Sequence, residues 1–282
     1  MIAPSDRSVA IAGARPARSR LFFWLFLLAI GNALTGFALQ FFHEHDLASS
    51  LGNLFGISAV VWVAVVAGIA LLAQPSVPAP IERLDWVVAA VTILAVLVPL
   101  GPASAVALTL LSIYAILTSA AGSTLRRAAI IFLAITGMLI WGRLALALFS
   151  GPLLDADSFL VATLFGMGRV GNFISFADGS GQFAVAPGCS SLQGMSIAIV
   201  MWALVNQWFE VPFSRSALIA LLAALAVTVA INVLRIGAIG LFPAHFDQIH
   251  TGIGWHVFSW LTLISVAGIC LYGARREIYQ RV

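Results

Sequence analysis

The chain has 282 residues, of which 61% are hydrophobic and 9% charged, whereas a soluble globular chain has about 25% charged residues. Its mean hydropathy of +1.06 predicts a polytopic membrane protein and leaves no room for a large soluble domain. The formal net charge is +3, and the 14 basic residues, all arginines, are scattered among loop ends, which argues against nucleic-acid binding. Only two cysteines occur, Cys189 and Cys270, without a CxxC pair, so neither a disulfide scaffold nor a zinc site is indicated.

The predicted elements begin with an N-terminal arm, residues 1–20, which contains several arginines, is rich in proline, serine and alanine, and is expected to be disordered. The apolar run that follows is long for a signal-peptide core and lacks a clear small-residue cleavage site, so we expect a retained first helix. A membrane-spanning helix needs about 20 mostly apolar residues, and the chain has about eight such runs. They cover residues 21–42, 52–73, 86–100, 103–121, 128–150, 190–209, 217–242 and 251–273.

Two regions depart from a simple spanning helix. The third and fourth runs are short and are separated only by Gly101 and Pro102, which predicts a tight helical hairpin or one long kinked helix. Residues 158–172 are apolar but brief, and glycines interrupt them. This pattern favours an interfacial or re-entrant segment over a spanning helix.

The arginines orient the predicted helices. A cytoplasmic N-terminus puts eleven of the 14 arginines on the cytoplasmic side, in agreement with the known excess of positive charge there. The sequence thus predicts an all-α polytopic membrane protein of about eight transmembrane helices with both termini cytoplasmic. We divide it into the arm, a five-helix membrane region at 21–150, a second membrane region at 151–274 and a cytoplasmic tail at 275–282.

A hairpin-like stretch precedes one of the cysteines. The β-prone runs 173–176 and 182–186 flank the sequence Asp-Gly-Ser-Gly, which predicts a short hairpin in an outer loop. It leads into Cys189, at the predicted outer start of the sixth span. The positive dipole end of a helix favours a thiolate, which is the nucleophilic form of cysteine. The alternative is a small apolar core residue, against which the polar neighbours Ser190 and Ser191 argue.

Two further polar residues fall at the same predicted depth. Arg235 lies within the seventh span, where an arginine costs about 2.5–3.5 kcal/mol, and Asn232 precedes it on the same helical face. The alternative for Arg235 is snorkelling to the outer interface. His250 begins the eighth span on the outer side and can carry a proton near neutral pH. His250 could instead be an ordinary interfacial residue, or a metal ligand together with His245 and Asp247. The metal site is disfavoured because the sequence has no HExxH spacing.

Another arginine, Arg143, also lies inside a predicted span. It is expected to pair with Asp155 or Asp157 or to line a substrate path, and we count it, with Asn232 and Ser190, as a supporting residue. A thiol, a guanidinium and an imidazole at one membrane boundary provide a nucleophile, an anion stabiliser and a proton carrier. These are the groups that a cysteine acyl-transfer enzyme needs.

The motifs that carry these three groups resemble those of the exosortase/archaeosortase family. Cys-Ser-Ser-Leu at 189–192 is similar to the family's Cys-Ser-Gly-Leu, Asn-Val-Leu-Arg at 232–235 to its Asn-x-x-Arg, and His-Thr-Gly-Ile-Gly-Trp at 250–255 to its His-x-x-x-Gly-Trp. Motif order and membrane side agree, so region 151–274 is the exosortase-like one. Ser191 stands where the family has glycine, and its side chain is expected to crowd the nucleophile turn, alter specificity or mark a divergent subfamily.

The resemblance implies an intramembrane cysteine protease or transpeptidase of the bacterial plasma (inner) membrane, with Cys189, Arg235 and His250 as catalytic residues and no cofactor or metal. The implied substrates are exported proteins with a C-terminal motif, a hydrophobic helix and a basic tail. They would be cleaved at the outer face through a thioacyl-enzyme, and the lipid bilayer is the other expected partner. Two alternatives stay open: a transporter that uses Arg143 and Arg235, for which no internal repeat is found, and a non-catalytic export or assembly protein, with which Ser191 is compatible.

Overall fold

The computed structural model describes residues 18–77, 79–98 and 101–279, and within them the regular elements are helices and one small sheet, joined by turns and loops. Residues 1–17 of the predicted arm and 280–282 of the predicted tail lie outside the described residues. The α-helices, in chain order, are α1 (Arg18–Glu44), α2 (Leu47–Gly52), α3 (Ala59–Ala73), α4 (Arg83–Leu97), α5 (Gly101–Thr118), α6 (Thr124–Thr136), α7 (Gly142–Phe165), α8 (Ser191–Trp208), α9 (Arg215–Leu241), α10 (Phe246–His250), α11 (Ile253–Gly273) and α12 (Arg275–Tyr279).

Several of these helices are suited to a bilayer. Four described helical segments are long and apolar enough to cross one: Arg18–Glu44, Thr124–Phe165, Arg215–Leu241 and Ile253–Gly273. Each contains or closely matches a predicted span. Helix α3 and most of α5 are apolar but shorter, and α4 has only 15 residues, about 22 Å at 1.5 Å per residue. The chain is thus an all-α, membrane-embedded protein, while the count of eight spans stays a prediction.

The fifth predicted span is part of a longer element. Helix α6 continues through a π-helical segment, Gly137–Trp141, into α7, so that 42 residues from Thr124 to Phe165 are helical without interruption. Phe149 has non-helical backbone angles (φ −126°, ψ 26°), and Pro152 follows it within the helix. Proline lacks an N–H and its ring crowds the preceding turn, which explains this kink. Residues 158–165 are therefore the end of α7, and the predicted region boundary at residue 150 falls beside the kink.

The small sheet lies between α7 and α8. It consists of β1 (Arg169–Val170), β2 (Phe173–Ser175) and β3 (Gln182–Ala184), paired antiparallel in that order. Hydrogen bonds from the side chain and backbone of Ser180 lower the pKa of the exposed Asp178 carboxyl at the turn. The backbone N–H of Ala177 donates to the carbonyl oxygen of Gly240 at 3.0 Å, so the connection between β2 and β3 is fixed to the end of α9.

Three apolar clusters hold together the helices and the sheet, including the elements that carry the motif residues. The largest apolar cluster lies mainly between α1, α3, α5 and α6, with Phe22, Phe26 and Phe132 fully buried in it. A second cluster joins α8, α9 and α11 and includes Cys270. A third, smaller cluster joins α7, the sheet and α9 around Cys189. The second and third clusters thus hold α8 and α9 against the segments that precede and follow them.

Candidate active site

Cys189 lies in a single turn of 3-10 helix, Pro187–Cys189, directly before α8. Its backbone N–H donates to the Ala186 carbonyl oxygen at 2.8 Å, and the next residue, Ser190, caps α8 by accepting a hydrogen bond from the Leu192 N–H at 3.3 Å. The cysteine is buried. The sequence places Cys189 at the start of a helix, and the structure puts it just outside the first turn, in a separate turn that proline begins.

His250 is the partner of this cysteine. The Sγ atom of Cys189 lies 3.4 Å from Nε2 of His250, although 61 residues separate them in sequence. His250 is the last residue of α10, and its ring stacks on Phe246 with 5.2 Å between centroids. Phe246 in turn makes edge contacts with Phe176 and Phe183. The hairpin between α7 and α8 therefore supports the helix that presents the histidine.

Asn232 holds the backbone of the cysteine turn from α9. Its Nδ2 donates to the Cys189 carbonyl oxygen at 2.8 Å and to Oγ of Ser191 at 3.0 Å. The two hydrogens of one amide group thus fix two successive parts of the chain. The structure therefore brings together Cys189, His250 and Asn232 from three elements.

A carboxylate that sequence analysis assigns to a different partner completes the arrangement. Asp157, on α7, accepts hydrogen bonds from the Ser191 N–H at 3.0 Å and from its Oγ at 2.7 Å. Asp157 and Ser191 are each only 6% exposed. The sequence signal for Asp157 was its position within an apolar stretch. A carboxylate that is buried there needs polar partners. Its partner was not predictable without the kink in α7.

Arg235 lies one turn beyond Asn232 on α9 and is only 8% exposed. Its Nε is buried and has no hydrogen-bond partner within the described part of the chain. No hydrogen bond among the same residues joins its guanidinium to Cys189 or His250. A buried guanidinium with an unused donor is costly, and it can accept an anion that arrives with a substrate or forms during a reaction.

The other intramembrane arginine does not join this group. The guanidinium of Arg143 stacks over the ring of Phe37 at 5.0 Å. The predicted pairing of Arg143 with Asp155 or Asp157 is absent, because Asp155 forms an ion pair with Arg169 and Asp157 bonds to the first turn of α8. Arg143 thus contacts α1, where an aromatic face partly satisfies its charge.

The site lies near one end of the helical bundle. Asn232, which contacts Cys189, is 17 residues along α9 from its first residue, Arg215, a rise of about 26 Å. A bilayer's hydrocarbon core is about 30 Å thick. The site is therefore separated from Arg215 by a distance comparable to that thickness. Within the described ranges, no three His, Cys, Asp or Glu side chains converge as a metal site would require.

Comparison with known proteins gives the family. No curated protein sequence and no solved structure shows a significant match to this chain. A family model described as transmembrane exosortase matches residues 6–273, which is nearly the whole chain. The match extends well beyond the three motifs and includes the helices on their N-terminal side. The chain therefore belongs to the transmembrane exosortase family.

Proposed function

We propose that the protein is a cysteine peptidase or transpeptidase that cleaves the C-terminal sorting tail of exported proteins at the outer face of the bacterial plasma membrane. The observation that carries this proposal is the 3.4 Å distance between Cys189 Sγ and His250 Nε2. A thiol in hydrogen-bond contact with an imidazole is the basic unit of cysteine nucleophilic catalysis. Membership in a family of cysteine transpeptidases supports it.

The reaction proceeds in two acyl transfers. His250 Nε2 accepts the proton of the Cys189 thiol, and the thiolate attacks the scissile carbonyl carbon to form a C–S bond. The tetrahedral intermediate collapses as the C–N bond breaks, and His250 returns the proton to the leaving amine. A thioester joins the substrate to the enzyme. An incoming amine or water, deprotonated by His250, then attacks this thioester and releases the Cys189 sulfur, which is reprotonated.

Arg235 is suited to stabilise negative charge in these steps. Its buried Nε has no partner in the resting protein, so the thiolate or the developing oxyanion would satisfy a donor that is otherwise unused. One such donor typically contributes about 2.7–4 kcal/mol to transition-state stabilisation. Arg143 has a different environment, over Phe37, and we propose no chemical step for it.

The depth of the site supports a membrane-anchored substrate. The Cys189 carbonyl lies about 26 Å along α9 from Arg215, near the boundary of a hydrocarbon core of about 30 Å. A peptide bond at the end of a transmembrane tail helix occupies the same depth. The tail would enter laterally from the lipid and pack against α8, α9 and α11, with its basic end in the cytoplasm. In this proposal both termini of the enzyme lie in the cytoplasm and its active site lies outside.

The proposal is tested by co-expression with a tail-bearing exported protein from the same genome, followed by mass spectrometry of the product. Wild type is expected to remove the tail, and Cys189→Ala to leave the substrate intact while remaining folded and inserted. Cys270→Ala is the matched control, because this second cysteine is buried in the cluster of α8, α9 and α11. The mass of the new C-terminus distinguishes a free acid, made by hydrolysis, from an attached acceptor.

Turnover by Cys189→Ala would refute the assignment of the nucleophile. If wild type and both variants leave every tail-bearing protein of that genome intact, the peptidase proposal fails. The interpretation as a non-catalytic membrane protein of an export pathway then takes its place. His250→Gln should lower the rate without changing the cleavage position, because the histidine transfers protons and does not select the peptide bond.

A further inference from the structure

We infer that Asp157 is a positioning residue for the nucleophile, acting through Ser191 and Asn232 to hold Cys189 against His250. This inference rests on the proposed function. Among the described residues, Asp157 has no hydrogen bond to the sulfur or the imidazole, and its carboxylate bonds to the first residue of α8. Its influence on the reaction would therefore be indirect, through the geometry of the turn that carries Cys189.

The Asp157 carboxylate is buried and has hydrogen bonds in place of an ion pair. Asp157 is 6% exposed, and in the described part of the chain no arginine or histidine pairs with it. A buried carboxylate without an ion pair is costly unless hydrogen bonds satisfy its oxygens. Both oxygens are used: Oδ2 accepts from the Ser191 N–H and Oδ1 from its hydroxyl. The charge also faces the positive end of α8.

The hydrogen bonds that link Asp157, Ser191 and Asn232 each have a defined donor and acceptor. A serine hydroxyl has one hydrogen, and an ionised Asp157 can only accept, so Ser191 must donate that hydrogen to Oδ1. The Ser191 oxygen is then free only as an acceptor, and it accepts from Nδ2 of Asn232. This fixes the amide of Asn232 with its nitrogen toward the turn, where its second hydrogen reaches the Cys189 carbonyl oxygen. The carboxylate thus orients the Ser191 hydroxyl, which in turn supports the Asn232 amide that bonds the Cys189 carbonyl oxygen.

The link between Asp157 and Asn232 runs through Ser191, the residue that departs from the family motif. Ser191 stands where the resembling motif has glycine, and its side chain was expected to crowd the turn. Instead, its hydroxyl lies between Asp157 and Asn232 at 2.7 and 3.0 Å. Glycine at this position would leave the backbone contact to Asp157 in place but would remove the link from Asp157 to Asn232. In this chain the serine and the carboxylate form one unit.

Asp157→Asn is the decisive substitution because it reverses this polarity at constant shape. The amide oxygen can still accept from the Ser191 N–H, but the amide nitrogen then faces the hydroxyl as a donor. The Ser191 oxygen then faces an amide donor on each side, and its own hydrogen loses the carboxylate. The hydrogen bond from Asn232 to Ser191 is weakened, and only the bond to the Cys189 carbonyl oxygen still holds the Asn232 amide. Asp155→Asn is the matched control, since Asp155 lies on the same helix, is bound by Arg169 and does not reach the turn.

The experiment uses the full chain in detergent with Cys270→Ala, so that Cys189 is the single thiol. Two quantities are measured: kcat and KM for tail cleavage, and the rate of alkylation of Cys189 by iodoacetamide with and without His250→Gln. Asp157→Asn is expected to lower kcat by about one to two orders of magnitude, the size of a nucleophile misplacement near 1 Å, while KM changes by less than about twofold. It should also remove the effect of His250→Gln on alkylation.

A purely structural role predicts a different result. If Asp157 only caps α8, Asp157→Asn lowers the unfolding temperature but leaves kcat, and the effect of His250→Gln on alkylation, as in the Asp155→Asn control. That result overturns the inference. Should Asp157→Asn fail to fold, Ser191→Gly tests the same link, because it keeps the backbone contact and loses the relay. Unchanged kcat and unchanged alkylation in that variant would also overturn it.

The two proposals fail in distinguishable ways. If wild type cleaves no tail-bearing substrate, the proposed function fails, but the alkylation comparison still reports whether Asp157 controls the contact of Cys189 with His250. If wild type cleaves normally and Asp157→Asn matches it in both measurements, only the positioning role fails. The double variant Asp157→Asn with Ser191→Gly should cleave no more slowly than the slower single variant, because both substitutions break the same link from Asp157 through Ser191 to Asn232.

Discussion

Gly237→Ala is expected to separate α7 from α9 and thereby disturb the site without altering any polar group. Gly237 lies two residues after Arg235 on α9, where the ring of Phe165, the last residue of α7, packs against the glycine backbone. A Cβ atom at position 237 would lie 2.1 Å from Cε2 and 2.4 Å from Cζ of Phe165. Small residues at such helix contacts allow the close approach of two helices in a membrane.

The size of the disturbance follows from these distances. To reach even a close van der Waals separation of 3.4 Å, the ring or its helix must move by at least about 1.3 Å from the 2.1 Å contact. Phe165 packs on the apolar cluster that includes Cys189, so turning the ring outward also removes buried surface. Overpacking of this kind costs about 1–3 kcal/mol. Because α7 also carries Asp157, the same movement should loosen the cysteine turn.

The assay compares Gly237→Ala with Gly268→Ala by thermal unfolding in detergent and by the alkylation rate of Cys189 in the background without Cys270. Gly268 is the matched control, since it lies within α11 and a Cβ there meets nothing within 4 Å. There alanine should be neutral or slightly stabilising through its higher helix propensity. Combining Gly237→Ala with Phe165→Leu should restore part of the lost stability. Equal unfolding temperatures and equal alkylation rates for the two glycine variants would refute this packing argument.

Three further predictions concern other parts of the molecule. Nε of the buried Arg127 donates to the Gln207 carbonyl oxygen, at the end of α8, at 2.7 Å. Arg127→Gln should therefore lower the free energy of unfolding by about 2–3 kcal/mol, and Arg127→Lys should lower it by less. A chemical unfolding curve with an unchanged midpoint would contradict this prediction. The pKa of Asp178 is lowered below 3.8 by its hydrogen bonds to Ser180, so its stabilisation of the hairpin is complete above pH 3.8 and should fade as the pH falls through the folded-state pKa. Amide-exchange protection over residues 173–184 should show that loss in wild type and not in Asp178→Ala. The proposed orientation puts residue 180 outside the cell and residue 121 in the cytoplasm. In intact cells an impermeant maleimide should therefore label Ser180→Cys, and it should label Ala121→Cys only after permeabilisation. The reverse pattern would show that the protein has the opposite orientation.

The sequence was sufficient to predict the pair at the centre of the site. Cys189 and His250 are polar residues at the ends of separate apolar runs, and a membrane forces such ends to one of two levels. Their 3.4 Å contact follows from that constraint together with helix packing. Asn232 was predictable as a supporting residue for another reason, since it shares a helical face with Arg235.

The course of the chain between residues 124 and 165 was harder to predict. Ser-Gly-Pro at 150–152 normally ends a helix, which is why the sequence indicated a span ending at residue 150 and a separate segment after it. The structure instead keeps the helix and bends it at Phe149. That bend carries Asp157 to the start of α8. Local patterns locate a breaker but do not distinguish an interruption from a kink, because tertiary packing makes the difference.

The two buried charges of the site differ in how they are satisfied, and this difference bears on the proposed chemistry. Asp157 has both oxygens hydrogen-bonded in the resting protein, whereas Nε of Arg235 has no partner among the described residues. A group that is already satisfied stabilises the ground state and the transition state alike, so it affects the rate only through the geometry of the groups that it positions. An unsatisfied buried donor gains its partner only when negative charge appears, which is the condition for lowering a barrier. On the proposed function, Arg235→Gln should therefore lower kcat far more than it lowers stability. Because the substitution removes an unpaired buried donor, the unfolding temperature should stay the same or rise. A variant that loses stability and keeps kcat would assign Arg235 to the fold instead.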